Sequence, residues 1–272
     1  MASTIFINGQ PGDSVSTSDR GLAYGQGVFE TILIRSGRAQ FWEWHMERLE
    51  EGCRRLAIPC DGLLQQLENE LPELSPDGVL KIVVTRGAGG RGYAVTEPLE
   101  PTRIIQLSDL PTWPDNPLQA GIRVRRCRTV LAQQPLLAGI KHLNRLEQVL
   151  ARAEWADTSI REGLVCDTAG NLIEGTMSNV FFVRDGVLCT PDLSQAGVAG
   201  VLRRWVIDMA RKNGWPVRVG SFQFDDIESA DEVFLCNSII GIWPVVQFED
   251  VCFTIGERCR TLQSLLEVEY RA

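Results

Sequence analysis

Lysine is scarce in this chain, occurring only at positions 81, 141 and 212 among 27 basic residues. Each amine can therefore be weighed singly as a nucleophile. Lys81 alternates with Leu80 and Ile82 in a β-rich run and is expected to face solvent. Lys212 falls in the last turn of an expected helix, where its charge complements the carbonyl end. Lys141 follows Leu136-Leu137-Ala138-Gly139-Ile140 and precedes an amphipathic stretch. Poor solvation there would lower an amine's pKa and make it nucleophilic. A helix-entry lysine with no chemistry explains the same residues and, for Lys141 taken alone, explains them better.

Four further features shift that balance, because together they supply what an aldehyde cofactor with a phosphate tail requires. Glu174 ends an expected strand and can hydrogen-bond a pyridine nitrogen, or simply face solvent. Gly200-Val201-Leu202 open a helix, whose unpaired N–H groups and positive dipole end bind phosphate, although a glycine turn precedes many helices. Arg48, mid-helix, can pair with the same phosphate or form a surface ion pair. Asn237-Ser238, after the strand 231–236, can donate to phosphate oxygens or merely form a turn.

Other chemistries lack their motifs. Gly87-Ala88-Gly89-Gly90-Arg91-Gly92 matches G-x-G-x-x-G after a strand, but Tyr93-Ala94-Val95-Thr96-Glu97-Pro98 follows where a dinucleotide-binding turn must open a helix. A glycine-rich loop over a site fits better. No G-x-x-x-x-G-K-[ST] or G-x-S-x-G occurs, no Cys-x-x-Cys pair appears among eight cysteines, and two distant histidines leave little for a metal site. Eight scattered thiols read as free cysteines of a reducing cytoplasm. The net charge of −8 argues against a nucleic-acid partner, and neither a leader nor a membrane span is indicated. A small-molecule substrate is the expectation.

The elements that must position these residues form a mixed α/β chain. Strand-like runs at 4–8, 28–34 and 79–85 alternate with helical spacing over 41–57 and 63–71, marking a smaller first lobe over residues 1–110. Pro111, Pro114 and Pro117 mark a linker over 111–121. A larger, β-rich second lobe over 122–272 follows, with strands at 122–127 and 163–167, a helix over 144–156, and strands 179–183 and 187–190 joined at the Asp185-Gly186 hairpin signal. An amphipathic helix then runs from Val201 to Asn213-Gly214.

Taken in order, these residues resemble the fold-type-IV pyridoxal-phosphate enzymes, the class-IV aminotransferase family. That group holds branched-chain and D-amino-acid aminotransferases and 4-amino-4-deoxychorismate lyases. The resemblance is carried by Asp19-Arg20-Gly21, Gly25-x-Gly27-Val28-Phe29-Glu30, His45-x-x-Arg48-Leu49, Lys141, Glu174-Gly175-x-x-Ser178-Asn179 and Gly200-Val201-Leu202-Arg203. The stretches 85–93 and 139–148 are most similar to the lyase branch. The resemblance implies a two-lobed fold with pyridoxal 5'-phosphate in the cleft, the second lobe supplying Lys141 and Glu174, and a homodimer whose partner closes part of each site. It further implies that Lys141 joins the cofactor aldehyde and that Glu174 contacts the pyridinium. Arg48, Val201, Leu202, Asn237 and Ser238 would cup the phosphate, and Arg91 and Tyr93 would meet substrate. The implied reaction converts 4-amino-4-deoxychorismate to 4-aminobenzoate and pyruvate, the alternative being transamination. Two positions depart from the pattern: Gln26 replaces the usual Asp between the glycines, and Leu146 replaces a tyrosine that contacts the cofactor phenolate in branched-chain aminotransferases.

Overall fold

A computed structural model describes residues 4–95 and 98–271. Met1–Ser3, at the end read as leaderless, and Thr96 and Glu97, in the segment after the glycine loop, lie outside the described residues. The chain divides into two compact units: residues up to Pro111 together with Ile140–Asn144, and Thr112–Gly139 together with the chain from Arg145 on.

The first unit is built on a six-stranded antiparallel sheet. Its strands are β1 (Thr4–Ile7), β2 (Gln10–Pro11), β3 (Gly27–Arg35), β4 (Arg38–Ala39), β5 (Asp77–Thr85) and β6 (Thr102–Ser108), in the order β2-β1-β6-β5-β3-β4. β3 and β5 pair over their full length, from Gly27↔Thr85 to Arg35↔Asp77. A side-chain period of two then sends Val28, Ile32 and Ile34 to the same face as Leu80, Ile82 and Val84. Helix α1 (Arg20–Tyr24) enters β3, and α2 (Trp42–Arg55) and α3 (Leu63–Glu70) cover the apolar face with Met46, Leu49, Cys53 and Leu67.

Lys141 falls in this unit, not in the second as the resemblance implies. The amide of Phe29 donates to the Lys141 carbonyl and that of Leu143 to the Gly27 carbonyl, both at 2.9 Å. The segment therefore forms a short antiparallel bridge, Val28↔His142, against β3. Gly52 lets α2 pack closely on β3 here, since a Cβ there would lie 2.7 Å from Val28 Cγ1.

The second unit holds a nine-stranded mixed sheet. Its strands are β7 (Ile122–Arg126), β8 (Ile160–Cys166), β9 (Leu172–Gly175), β10 (Asn179–Arg184), β11 (Val187–Pro191), β12 (Val217–Gly220), β13 (Glu232–Asn237), β14 (Gly241–Phe248) and β15 (Val251–Cys252). The order is β12-β11-β10-β13-β14-β7-β8-β9, with β15 on β14. β10 and β13 are buried on both faces, so they read as continuous apolar runs rather than alternation. Phe181 and Phe234 stack across them at 5.3 Å. The β10–β11 hairpin turns at Asp185 and Gly186, both at positive φ (50° and 73°), as its Asp-Gly signal requires. The helices are α4 (Pro117–Ala120), α5 (Leu146–Arg152), α6 (Val201–Lys212), α7 (Phe224–Glu228) and α8 (Glu257–Glu269).

The proline-rich stretch is itself packed: Trp113 meets Trp243 edge-on at 5.1 Å, and Pro117 starts α4 at a position where its missing N–H costs nothing. α5 is shorter than the helix expected over 144–156. Glu154 lies past its end, where its carboxylate accepts the Arg128 and Thr129 amides at 2.8 and 2.7 Å. No helix among the described residues is long and apolar enough to cross a membrane.

Candidate active site

In the first unit the reactive side chains gather on β3 and the elements laid against it. Phe29 is part-buried, and the Lys141 amine stands 4.4 Å from its ring centroid, a cation–π contact that places the amine. Lys81, exposed on β5 as expected, reaches the same ring at 5.6 Å. One residue on, Glu30 takes the opposite phase of β3, where its neighbours are Val28 and Ile32, and is 1% exposed. Its Oε1 accepts from Arg48 Nε at 2.8 Å, and its Oε2 from Arg48 Nη2 at 2.5 Å and His45 Nδ1 at 2.6 Å. Burial pushes the Glu30 pKa up, but the charge and hydrogen bonds of Arg48, joined by His45, outweigh it and hold it at about 2 against the ordinary 4.5. Burial drives His45 the other way, below 6.5, and the Glu30 contact offsets this only in part. His45 is thus neutral at pH 7, with its proton on the Nδ1 that faces the carboxylate.

These shifts fix the acid limb of stability. A carboxylate with a depressed folded pKa stabilises the fold above its unfolded pKa and loses that contribution as pH falls through the folded value. The Glu30 term is therefore full above about 4.5 and is lost toward pH 2, on the order of 3 kcal/mol across the window. His45 acts in the same direction, since below pH 6.5 the unfolded chain takes up a proton that the folded one does not. Urea melts between pH 7 and 2.5 should show stability falling with acid, and a Glu30→Gln variant should show a shallower fall below pH 4.5. Parallel acid limbs for the two proteins would exclude this origin.

The glycine loop is anchored to the same unit. Arg20 donates to the carbonyls of Gly92 and Tyr93, each at 2.9 Å, and the Tyr24 hydroxyl accepts the Gly92 amide at 2.9 Å. Arg91 and Tyr93 are exposed on this loop, Tyr93 at 87%, with its ring edge-on to Tyr24. Gln26 makes two side-chain contacts, its Oε1 accepting from Arg20 Nε at 2.6 Å and its Nε2 donating to the Leu56 carbonyl at 2.9 Å. An aspartate could supply the acceptor but not the donor, so the departure from the family pattern ties Arg20 to the end of α2.

In the second unit, Glu174 lies on β9, buried, with Oε2 accepting the Val198 amide at 2.8 Å. Gly197 (φ +84°) allows this loop to come in, since a Cβ there would fall 3.1 Å from the same oxygen. Asn179 fixes the entry to α6: its Oδ1 accepts the Gly200 amide at 3.1 Å and its Nδ2 donates to the Val198 carbonyl at 2.9 Å. No side chain caps α6, so the amides of Val201 and Leu202 lie in a first turn that has no acceptor within the helix. The Asn237 side chain is committed to its own turn, which carries Ser238. It accepts the Ile239 and Ile240 amides at 2.8 and 2.9 Å and donates to the Met177 carbonyl at 3.0 Å. These contacts shape the turn that carries Ser238. Glu162, fully buried, gathers the loop after Glu174 by accepting from the Thr176 and Met177 amides and the Ser178 hydroxyl.

The first unit holds an amine and an arginine, and the second a buried carboxylate and an uncapped helix start; by their chemistry these residue types fit pyridoxal phosphate, an aldehyde with a ring nitrogen and a phosphate. Among the described residues no group of His, Cys, Asp or Glu could hold a metal ion. The sequence profile of the class-IV amino-transferases matches residues 27–248. The chain belongs to that family. A curated relative, the aminodeoxychorismate lyase of Vibrio harveyi, is 37% identical over 96% of this chain and 99% of its own. Among solved structures, the 4-amino-4-deoxychorismate lyase of Pseudomonas aeruginosa is 47% identical over 97% of this chain and 98% of its own, with a TM-score of 0.92. The branched-chain aminotransferase of Escherichia coli shares the class-IV fold at a TM-score of 0.85 and 22% identity, over 98% of this chain and 94% of its own. The contacts of Glu30, His45, Phe29, Asn179 and Glu162 single these residues out, although the sequence alone assigns none of them a role. The legible signal for Glu30 is its phase, a carboxylate among the core-facing positions of a strand.

Proposed function

We propose that the protein is a pyridoxal-phosphate-dependent lyase that converts 4-amino-4-deoxychorismate to 4-aminobenzoate and pyruvate. The observation that carries this reading is the placement of the Lys141 amine over Phe29, the residue before Glu30 on β3, in a chain whose similarity to solved and curated lyases is near full length. Lys141 would hold the cofactor, Glu174 its ring nitrogen, and Arg48 with the Val201 and Leu202 amides its phosphate, the Asn237-Ser238 turn contributing beside them. When bound, the cofactor supplies an electron sink for the pair left when a proton leaves the amine-bearing carbon.

The chain's own residues do the rest. Once the substrate amine has taken its place, Lys141 Nζ is released as a base and takes that proton. The same Nζ returns a proton to the enolpyruvyl group as its C–O bond breaks, so that pyruvate departs and the ring becomes aromatic. Glu174 keeps the proton on the ring nitrogen, and Arg91 pairs with a substrate carboxylate through a charge-assisted hydrogen bond, with Tyr93 beside it. Leu146, 76% exposed and apolar, provides no hydroxyl to a phenolate, which argues against the branched-chain aminotransferase reading.

The deciding experiment adds aminodeoxychorismate to the purified protein loaded with cofactor and follows both products. Equimolar 4-aminobenzoate and pyruvate support the lyase. A keto acid and glutamate from an amino acid and 2-oxoglutarate, formed faster than pyruvate is released, would instead make it an aminotransferase.

The proposal includes a homodimer in the cytoplasm, the compartment in which eight unpaired thiols stay reduced. Val149 and Leu150 lie one helical turn beyond Leu146 on α5, and the three are 60%, 60% and 76% exposed, an apolar stripe that a second copy of the chain would cover. Sedimentation should give twice the chain mass, and a Val149→Asp/Leu150→Asp variant should sediment as the monomer. A dimer unaffected by both charges would remove the stripe from the interface.

A further inference from the structure

Glu30 occupies a position that packing alone would give to an apolar residue. It shares its face of β3 with Val28, Ile32 and Ile34, all at most 1% exposed. Burying a carboxylate there is unfavourable until its partners offset the lost hydration, and an apolar side chain of similar volume would fill the space without that cost. The carboxylate is therefore retained for something besides filling the core.

Its partners indicate what that is. Both oxygens are occupied by α2 side chains one helical turn apart. Arg48 engages in fork geometry, Nε to Oε1 and Nη2 to Oε2, while His45 donates to Oε2. A two-point contact fixes the guanidinium plane as a single hydrogen bond cannot. Burial is graded along the network: the side chains of His45 and Glu30 are 0% and 1% exposed, and that of Arg48 is 12%. The network is thus anchored in the core and ends on a cation nearer the surface. His45, neutral, adds a donor without adding charge, so the pair keeps its balance of one negative and one positive group.

We propose that Glu30, seconded by His45, is the positioning residue that sets how tightly Arg48 grips a phosphate monoester. The inference rests on the reading of Arg48 as a ligand of the cofactor phosphate. Glu30 touches neither cofactor nor substrate in this role; it acts by holding the guanidinium plane.

The test compares two aldehydes that differ only in the phosphate. Dissociation constants for pyridoxal 5'-phosphate and for pyridoxal are measured by equilibrium dialysis on the full chain freed of cofactor. Glu30→Gln should weaken the phosphorylated aldehyde at least tenfold, about 1.4 kcal/mol, and leave pyridoxal within about twofold. In an Arg48→Gln background the same change should cost little more, because the group that it positions is gone. Glu30→Asp keeps the charge but is one methylene too short for both contacts, so it should show the same selective loss, and it serves if the Gln variant folds poorly. Equal loss for both aldehydes, or no loss for either, would overturn the proposal and leave Glu30 a core ion-pair partner only. If the unmodified chain does not prefer the phosphorylated aldehyde, the phosphate reading of Arg48 fails as well, a result distinct from a preference that Glu30 does not affect.

Discussion

Replacing Lys141 by alanine should leave a folded protein that shows no visible absorbance band after incubation with pyridoxal phosphate, loses nothing to borohydride, and turns over aminodeoxychorismate at least about a thousandfold more slowly. The size follows from the two roles given to one amine, the covalent hold on the cofactor and the proton transfer at the reacting carbon, the second alone being worth roughly 10²–10⁴-fold. The fold should survive because the Lys141 backbone, not its side chain, bridges β3 through its carbonyl. Lys81 supplies the internal control. Its amine approaches the same Phe29 ring, at 5.6 Å against 4.4 Å, but from β5 and on an exposed residue. If the Lys141→Ala protein kept a borohydride-sensitive band that vanished on further substitution of Lys81, the nucleophile would be Lys81. Unchanged turnover in Lys141→Ala would reject the mechanism outright.

What could be read from the sequence, and what could not, divides along the range of the interactions involved. Local chemistry was legible. The Asp185-Gly186 turn, the two-residue period of β3 and β5 and the start of α6 at Gly200 all depend on residues within a few positions of one another. An isolated lysine and a glycine before a helix start are likewise visible one at a time. Partnerships across the chain were not. Glu30 meets His45 and Arg48 fifteen and eighteen residues away, and nothing in either segment states that the strand phase and the helix face will meet. The Lys141 segment looks like part of what surrounds it in sequence. It is drawn to β3 by two backbone hydrogen bonds, which any residue types could make. Asn237 shows the same limit: a carboxamide after a strand suits a ligand and a turn equally well, and only the fold shows that it accepts the Ile239 and Ile240 amides.

The glycine loop gives the second large effect, and here sterics decide. Gly87 has φ of +90°, and a Cβ built on it would lie 1.9 Å from the Glu100 carbonyl oxygen and 2.9 Å from its carbon. Both are backbone atoms, so no rotamer change relieves the clash; the loop or the chain at Glu100 must move. Moving is costly because Gly87 is held on both sides. Its amide donates to Thr85 Oγ1 at 3.0 Å, its carbonyl accepts the Arg20 amide at 2.9 Å, and Thr85 and Thr102 both donate to the buried Asp19 carboxylate. Gly87→Ala should therefore cost on the order of 3 kcal/mol, combining the positive-φ penalty with the lost contacts, and lower the melting temperature by roughly 10 °C. Because Arg91 and Tyr93 ride on the same loop, KM for aminodeoxychorismate should rise while the cofactor band persists. Gly90→Ala is the matched control, since a Cβ there meets nothing within 4 Å and its φ lies outside the left-handed region. That variant should melt within about 0.5 kcal/mol of the parent. If both variants melted with the parent, the Asp19–Thr85–Gly87 anchor would not be what holds the loop. If Gly87→Ala melted early yet kept its KM, the loop would be structural and Arg91 would lose its assignment to substrate.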